Sequence, residues 1–214
     1  MHAYQQDFLA LAHAAGVLRF GSFTLKSGRQ SPYFFNLGQI ATGARLERLG
    51  AAYAACIEAS GLGFDMLFGP AYKGIPLVTA TAIALAERHG RDVPLAYNRK
   101  EAKNHGEGGV IVGAALSGRV LVIDDVLTAG TAVRESLALI RAHGATPVGV
   151  VIALNRQERG RGTRSAAQDL THEHGLPVLA IVGLNEIMDY VSAQPELATI
   201  GTELATYRAR YGVA

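Results

Sequence analysis

Val120-Leu121-Val122-Ile123-Asp124-Asp125, followed by Val126-Leu127-Thr128-Ala129-Gly130-Thr131-Ala132, restricts the fold more than any other stretch of this chain. Four consecutive apolar, mostly β-branched residues ask for burial on both faces, a demand met by a central strand of a parallel sheet. Two adjacent carboxylates cannot share that core, because burying an unpaired charge costs several kcal/mol or more. The pair therefore belongs at the strand's carboxyl edge, where open α/β sheets bind ligands. Small and hydroxylic residues come next, and then Val133, Leu137 and Ile140 recur at helical spacing. A helix beginning near Thr131 presents unpaired N–H groups and a partial positive charge at its start, which together make an anion site.

Such an edge suits a sugar phosphate. Carboxylates would accept hydrogen bonds from hydroxyls while loop amides and Thr hydroxyls hold the phosphate, and a neutral polyol between the two keeps like charges apart. Two plainer roles stay open for the acid pair: capping the turn, or chelating magnesium as the acidic residues closing a Walker B strand do. The motif G-x-x-x-x-G-K-[ST] is absent, as is G-x-G-x-x-G, which weighs against triphosphatase and dinucleotide-binding readings. A hydrophobic strand, two acidic residues and a Thr/Gly-rich turn resemble the ribose-phosphate loop of the type I phosphoribosyltransferases.

At 214 residues, 49% hydrophobic and 18% charged, the chain can bury a sizeable core and falls in the range of one domain with room for a small appendage. A formal charge of +2 is too small to point to a nucleic-acid or membrane partner. Cys56, the single cysteine, lies in an apolar helical pattern and fits a small core residue in a reducing compartment. The start of the chain lacks a basic, apolar leader, and no run approaches the roughly 18 apolar residues that span a bilayer. The expectation is a soluble, cytoplasmic protein. No internal repeat, long charge block or obvious linker divides it.

Taken in order, Phe8, Leu11, Ala12 and Ala15 mark a helix over about 4–15 that Gly16 stops. Residues 23–26 and 33–37 read as strands, joined by the turn-rich Ser27-Gly28-Arg29-Gln30-Ser31-Pro32. Leu46, Leu49, Tyr53, Cys56 and Ile57 define a helix over 44–59, ending before Gly61. Strands at 66–68, 93–97, 120–123, 148–154 and 178–182 then alternate with helical segments, which predicts right-handed βαβ crossovers and a central parallel sheet flanked by helices. Two helical segments, 184–191 and 197–211, close the chain, the first placed to fold back toward the amino-terminal part. The expected organisation is one domain: a small α+β hood over about 1–40, an α/β core over about 41–183, and C-terminal helices over 184–214.

Further constellations surround the acid pair. Asn98-Arg99-Lys100-Glu101-Ala102-Lys103-Asn104-His105-Gly106-Glu107-Gly108-Gly109 is basic at its base and glycine-rich at its far end. A charged surface loop explains it; beside a sugar-phosphate site, so does a mobile lid for an anion. Tyr72-Lys73 lies in a turn bracketed by Gly69-Pro70 and Gly74, small residues that allow backbone to approach a phosphate. Arg156 follows the strand ending at Leu154, at the same sheet edge as Asp124, and its guanidinium can hold a carboxylate with two parallel hydrogen bonds. Arg156-Gln157-Glu158-Arg159-Gly160-Arg161-Gly162-Thr163-Arg164 leaves a competing possibility open, a regulator of this fold that binds RNA. The segment is short, lacks aromatics and contains Glu158. No histidine outside the lid shows metal-ligand spacing.

The resemblance narrows to the orotate phosphoribosyltransferases. The 99–109 segment resembles their catalytic loop, with Asn104 standing where many relatives carry an acidic residue. Thr24-Leu25-Lys26-Ser27-Gly28-Arg29 and Ser31-Pro32-Tyr33-Phe34-Phe35-Asn36 resemble their orotate-specific hood. The resemblance spans essentially the whole chain and implies transfer of a 5-phosphoribosyl group from phosphoribosyl pyrophosphate to orotate in pyrimidine synthesis, with magnesium, through an oxocarbenium-like transition state. It implies that Lys103, His105, Asp124 and Asp125 are catalytic. Phosphoribosyl pyrophosphate would be held by Lys26, Tyr72, Lys73, Arg99, Lys100, Lys103, His105, Asp124 and Asp125, and by the amides of Val126, Leu127, Thr128, Ala129, Gly130, Thr131 and Ala132. Orotate would be held by Lys26, Phe34, Phe35, Thr128 and Arg156. Magnesium would arrive bound to the pyrophosphate, with no direct protein ligand. A homodimer is implied, in which Lys26, Arg99, Lys103 and His105 serve the partner's site, and neither nucleic acid nor membrane is a partner.

Overall fold

The computed structural model describes residues 1–25, 27–103, 109–127, 130–160 and 162–213, with Ala102 and Lys103 described by their backbone alone. The apolar run expected in the middle of a sheet is β6 (Arg119–Val126), which lies between β3 (Met66–Gly69) and β7 (Thr146–Asn155) and runs parallel to both. Its alternate residues are buried on both sides: Leu121 and Ile123 in one apolar cluster, Val120 and Val122 in another. That double burial is why the run carries no polar residue until Asp124.

Beyond β3 lies β4 (Leu95–Lys103), and beyond β7 lies β8 (Val178–Gly183), each parallel to its neighbour. The sheet order is β5-β4-β3-β6-β7-β8, with β5 (Gly109–Gly113) at the edge. From β3 the chain passes through α3 (Gly74–His89) to β4 on one side. From β6 it passes through α4 (Thr131–Ala142) to β7 on the other, and then through α5 (Ala166–His174) to β8. The direction of winding therefore reverses between β3 and β6, and the carboxyl ends of those two strands face a natural ligand crevice.

One strand differs from expectation. β5 is antiparallel to β4, pairing Asn98 with Ile111 and Lys103 with Gly109, so the sheet is mixed and much of the expected loop is a strand arm. An edge ribbon needs no second buried face, which let the polar Asn98–Lys103 continue a strand without an apolar pattern to announce it.

One side of the sheet is covered by α3 and by α2 (Gly43–Ser60), which ends at Gly61 with the left-handed φ of 64° that glycine tolerates. On the other side Val133, Leu137 and Ile140 of α4 are buried together with Leu170 of α5. The amino-terminal helix α1 (Ala3–Ala14) leads into a separate hairpin of β1 (Leu18–Thr24) and β2 (Gln30–Phe35). Here β1 begins at Leu18 rather than Phe23, because Arg19, Gly21 and Ser22 broke its apolar alternation and hid the strand from a pattern reading. Gln5 ties α1 to the sheet by donating to the Ile181 carbonyl at 2.9 Å. The C-terminal helices are α6 (Leu184–Ser192) and α7 (Ala198–Tyr211). α6 does fold back on the amino-terminal part, its Tyr190 hydroxyl 3.1 Å from His13 Nδ1. Tyr207 of α7 packs edge-on against Tyr33 of β2, with ring centroids 6.2 Å apart. Among the described residues no helix is long and apolar enough to cross a membrane.

Helices α2 and α3 touch through a buried glycine. A Cβ on Gly50 would lie 2.6 Å from the carbonyl carbon of Ala80, a position no side-chain rotation relieves. Alanine normally favours a helix interior by about 1 kcal/mol over glycine, but overpacking costs about 1–3 kcal/mol. Gly50→Ala is therefore expected to lower the urea midpoint of unfolding, and an unchanged or raised midpoint would show that the helices separate freely.

Candidate active site

At the end of β6 the two carboxylates turn back onto their own backbone. Asp124 Oδ1 accepts the Asp125 N–H at 2.9 Å, and Asp125 Oδ1 accepts the Val126 N–H at 2.8 Å. From beneath, the buried Tyr53 of α2 donates its hydroxyl to the Asp124 carbonyl oxygen at 2.7 Å. Across the crevice, Lys73 at the start of α3 places Nζ 2.6 Å from Asp125 Oδ2. This ion pair joins the turn after β3 to the carboxyl end of β6, the two sides of the point where the winding reverses. Burial pushes the Asp124 carboxyl up to about 6; the Asp125 N–H pulls it down, the Asp125 charge raises it, and Lys73 lowers it.

The turn carrying Lys73 is held from β4. Ala71 donates its N–H to Asn98 Oδ1 at 2.9 Å, and the Ala71–Tyr72 peptide is cis. Tyr72 is exposed, and Lys100 Nζ stands 4.9 Å from its ring centroid. A groove of about 380 Å³ is lined by Tyr72, Ile75, Tyr97, Asn98, Arg99, Lys100 and Glu101, so the structure gathers three expected anion ligands, Tyr72, Arg99 and Lys100, along the ends of β3 and β4. The bracketing glycines are in close contact with each other. A Cβ on Gly69 would lie 2.8 Å from the Gly74 carbonyl carbon, and one on Gly74 would lie 2.8 Å from the Gly69 carbonyl carbon. They let strand end and helix start touch each other.

Past Asp125, Val126 completes the strand and Leu127 is buried. Gly130 then takes a left-handed φ of 71° at the N-cap of α4, with Thr131 and Ala132 in its first turn. No side chain caps this helix among the described residues, so its first amides remain donors for an anion. Among the described residues no three acidic, His or Cys side chains gather to hold a metal. With Asp125 bound to Lys73 and both carboxylates accepting backbone N–H groups, the donor set fits a metal that brings phosphate ligands of its own.

Residues 36–173 match the model of the phosphoribosyl transferase domain family. Over 213 residues, and over 100% of both chains, the sequence is 61% identical to the orotate phosphoribosyltransferase of Thioalkalivibrio sulfidiphilus and 58% identical to that of Pseudomonas aeruginosa. This chain belongs to the orotate phosphoribosyltransferase family. The crystal structure of the Francisella tularensis orotate phosphoribosyltransferase matches it with a TM-score of 0.88 at 43% identity, covering 96% of this chain and 98% of that one. The fold is that of the type I phosphoribosyltransferases, a mostly parallel sheet flanked by helices.

The residues expected to hold the base fall on different surfaces of the hood. Phe34 and Phe35 point to opposite faces of β2: Phe34 meets Phe23 at 5.6 Å and Arg19 at 5.2 Å, whereas Phe35 turns toward Phe8 at 6.3 Å. Their side chains cannot both line one flat ring. Arg156 does lie just beyond the carboxyl end of β7, but its Nη2 is engaged by Glu158 at 2.7 Å and stands 3.4 Å from Ser31 Oγ. The guanidinium stacks on Tyr33, 4.4 Å from the ring centroid. Neither Tyr33 nor Glu158 was singled out from sequence, although a Glu two residues after a candidate Arg was the available signal. Of the remaining expected ligands, Lys26, His105, Thr128 and Ala129, together with Asn104 and the Lys103 side chain, lie outside the described residues.

Because the folded-state value for Asp124 lies above its ordinary 3.8, the folded protein binds an extra proton between that value and about 6. Stability tied to this group is thus greatest at low pH and falls as pH rises through that window. Asp124→Asn keeps an acceptor for the Asp125 amide and removes the charge. It is expected to raise stability at pH 7 by on the order of 2 kcal/mol and to add little at pH 4, as read from urea unfolding at both pH values.

Proposed function

We propose that this protein transfers the 5-phosphoribosyl group of phosphoribosyl pyrophosphate to orotate, releasing pyrophosphate and forming orotidine 5′-monophosphate for pyrimidine synthesis. The observation that carries the reading is the Lys73–Asp125 pair spanning the crevice, with a helix start on one side and a basic groove on the other. One substrate then satisfies all three features: a phosphate at the first amides of α4, ribose hydroxyls at Asp124 and Asp125, and pyrophosphate along Tyr72, Lys73, Arg99 and Lys100.

In this reading the bond from the ribose anomeric carbon to pyrophosphate breaks as the bond to the orotate ring nitrogen forms. Positive charge grows on the sugar and negative charge on the leaving group, so orientation and fixed charges supply the acceleration. Asp124 and Asp125 face the electron-poor ribose. Lys73 has three donors, enough to keep Asp125 while reaching a phosphate oxygen. Lys103 and His105 close over the pyrophosphate and donate to it. Magnesium, arriving with the pyrophosphate and without a direct protein ligand, would supply further positive charge to the leaving group.

We take the assembly to be a homodimer in which Lys26, Arg99, Lys103 and His105 serve the partner's site, and the compartment to be the cytoplasm, where the buried Cys56 stays reduced. Hood, core and C-terminal helices form one domain in this reading, supported by an apolar cluster that takes residues from all three. Among the described residues of the Arg/Gly-rich segment, Arg164 pairs with Asp169 and Arg159 donates to the Arg210 carbonyl. That favours small-molecule substrates over RNA.

Spectrophotometric loss of orotate on adding phosphoribosyl pyrophosphate and magnesium, with uracil as an inert control, tests the activity directly. The kcat/KM profile is expected to fall on the acid side near pH 6 as Asp124 takes up a proton. Lys73→Ala should move that limb to higher pH, since the lysine charge holds the Asp124 value down; a limb that stays in place would separate Lys73 from the dyad. Lys103→Ala should lower kcat by about tenfold or more. Exchanging Lys103→Ala subunits with Asp125→Asn subunits should restore activity if sites are composite, and no restoration after verified exchange would refute sharing.

A further inference from the structure

We infer that Glu158 is a positioning residue for the base subsite, acting through Arg156, so that orotate is recognised by an arginine whose plane and rotation are both set by the protein. The inference rests on the assignment of Arg156 to orotate above.

Arg156 follows β7, the neighbour of the strand that carries the acid pair. Its side chain is only 16% exposed and that of Glu158 only 10%. Beneath them Tyr33 is fully buried, with its ring 4.4 Å from the guanidinium carbon and its hydroxyl donating to Glu158 Oε1 at 3.1 Å. Burial keeps the Tyr33 hydroxyl well above its ordinary pKa, so it remains a donor. The ring fixes the plane of the guanidinium, and Glu158 fixes its rotation within that plane. The Arg156 contacts to Glu158 and to Ser31 both use Nη2, and the Tyr207 hydroxyl interacts with both members of the ion pair.

The loop bearing these residues is itself anchored. Arg159 donates its N–H to the Tyr211 carbonyl and Val213 donates to the Gln157 carbonyl, each at 2.9 Å. Arg29, in the hairpin turn, donates to the Arg159 carbonyl at 2.9 Å and stands 4.0 Å from Glu158 Oε2. Hood, post-β7 loop and C-terminal tail thus converge on one ion pair.

Such a pair is a poor device for stability, because desolvation offsets most of its attraction. Its use is orientation: an unrestrained arginine has many rotamers to lose, and a flat anion is held well only by a guanidinium already in place. Glu158 also has a cost for binding, since it partly neutralises the positive charge that an anion seeks. The two effects have opposite signs, which makes the inference testable. If charge alone governed the subsite, Glu158→Gln would tighten orotate; if positioning governs it, the same change weakens orotate.

The experiment measures steady-state kinetics for Glu158→Gln, Tyr33→Phe and Arg156→Ala in the full chain, with circular dichroism confirming the fold of each. Glu158→Gln is expected to raise KM for orotate about tenfold, while KM for phosphoribosyl pyrophosphate changes less than twofold. Tyr33→Phe keeps the ring and removes only the donor to Glu158, so it should raise KM for orotate by a smaller factor in the same direction. It decides the matter if Glu158→Gln does not fold. An orotate KM that stays level or falls in the folded variant, while Arg156→Ala raises it, overturns the role of Glu158 and leaves the assignment of Arg156 standing. An orotate KM indifferent to Arg156→Ala overturns that assignment, and the inference with it.

Discussion

Asp124 keeps a charge at the end of a strand in which Val120 to Ile123 are wholly buried, and everything at the upper edge of the sheet follows from making that charge tolerable. The Asp125 N–H donates to one of its oxygens, Lys73 contributes opposite charge from across the crevice, and Tyr53 fixes the peptide from below. These partners come from three elements distant in sequence: β6 itself, the turn after β3, and α2. The compensation is incomplete, because burial still outweighs it and leaves the carboxyl at about 6. A group that has lost water without full replacement is one that a sugar hydroxyl can satisfy, and in the proposed reading the unfavourable energy in the free protein is recovered when substrate binds.

The position of that charge depends in turn on topology. Only where winding reverses do two adjacent strands send their following loops apart and open a crevice between them. β3 and β6 occupy that place, and Lys73 and Asp125 bridge it. The close contact of Gly69 with Gly74 brings α3 down onto the end of β3, which places Lys73 within reach of β6. A larger residue at either glycine would lift the start of the helix and lengthen that bridge.

How much of this is legible in sequence depends on whether a residue's surroundings are local. The central strand, the acid pair and α4 could be read because burial on two faces, a sudden change to carboxylates and a 3.6-residue period are all local patterns. The same holds for α2 and its stop at Gly61. β5 was hidden because an edge strand carries no such pattern, and the start of β1 because polar residues interrupted it. The identity of the residues near Arg156 was illegible for another reason. Tyr33 and Glu158 reach it from β2 and from two positions downstream in the chain, and only the packing of the hairpin against the post-β7 loop brings them together. Alternation along β2 is what separates Phe34 from Phe35, and Tyr33 shares a face with Phe35 for the same reason.

The two sides of the crevice consequently differ in kind. On the proposed phosphate side the candidate ligands stand on the first turns of helices and on a strand arm, elements whose backbone is already committed by the sheet. On the base side the same rigidity is built from side chains: an aromatic floor, a carboxylate strut and a hydroxyl between them. Phosphates can be held by backbone amides and simple cations, since their charge is spread over equivalent oxygens. A planar ring bearing a single carboxylate has a direction, and recognising direction takes a guanidinium whose own orientation is constrained. In the proposed reading the Arg156–Glu158 pair near the C-terminal tail supplies that constraint, which is why these two charged side chains after β7 turn inward while Arg159 and Arg164 face solvent.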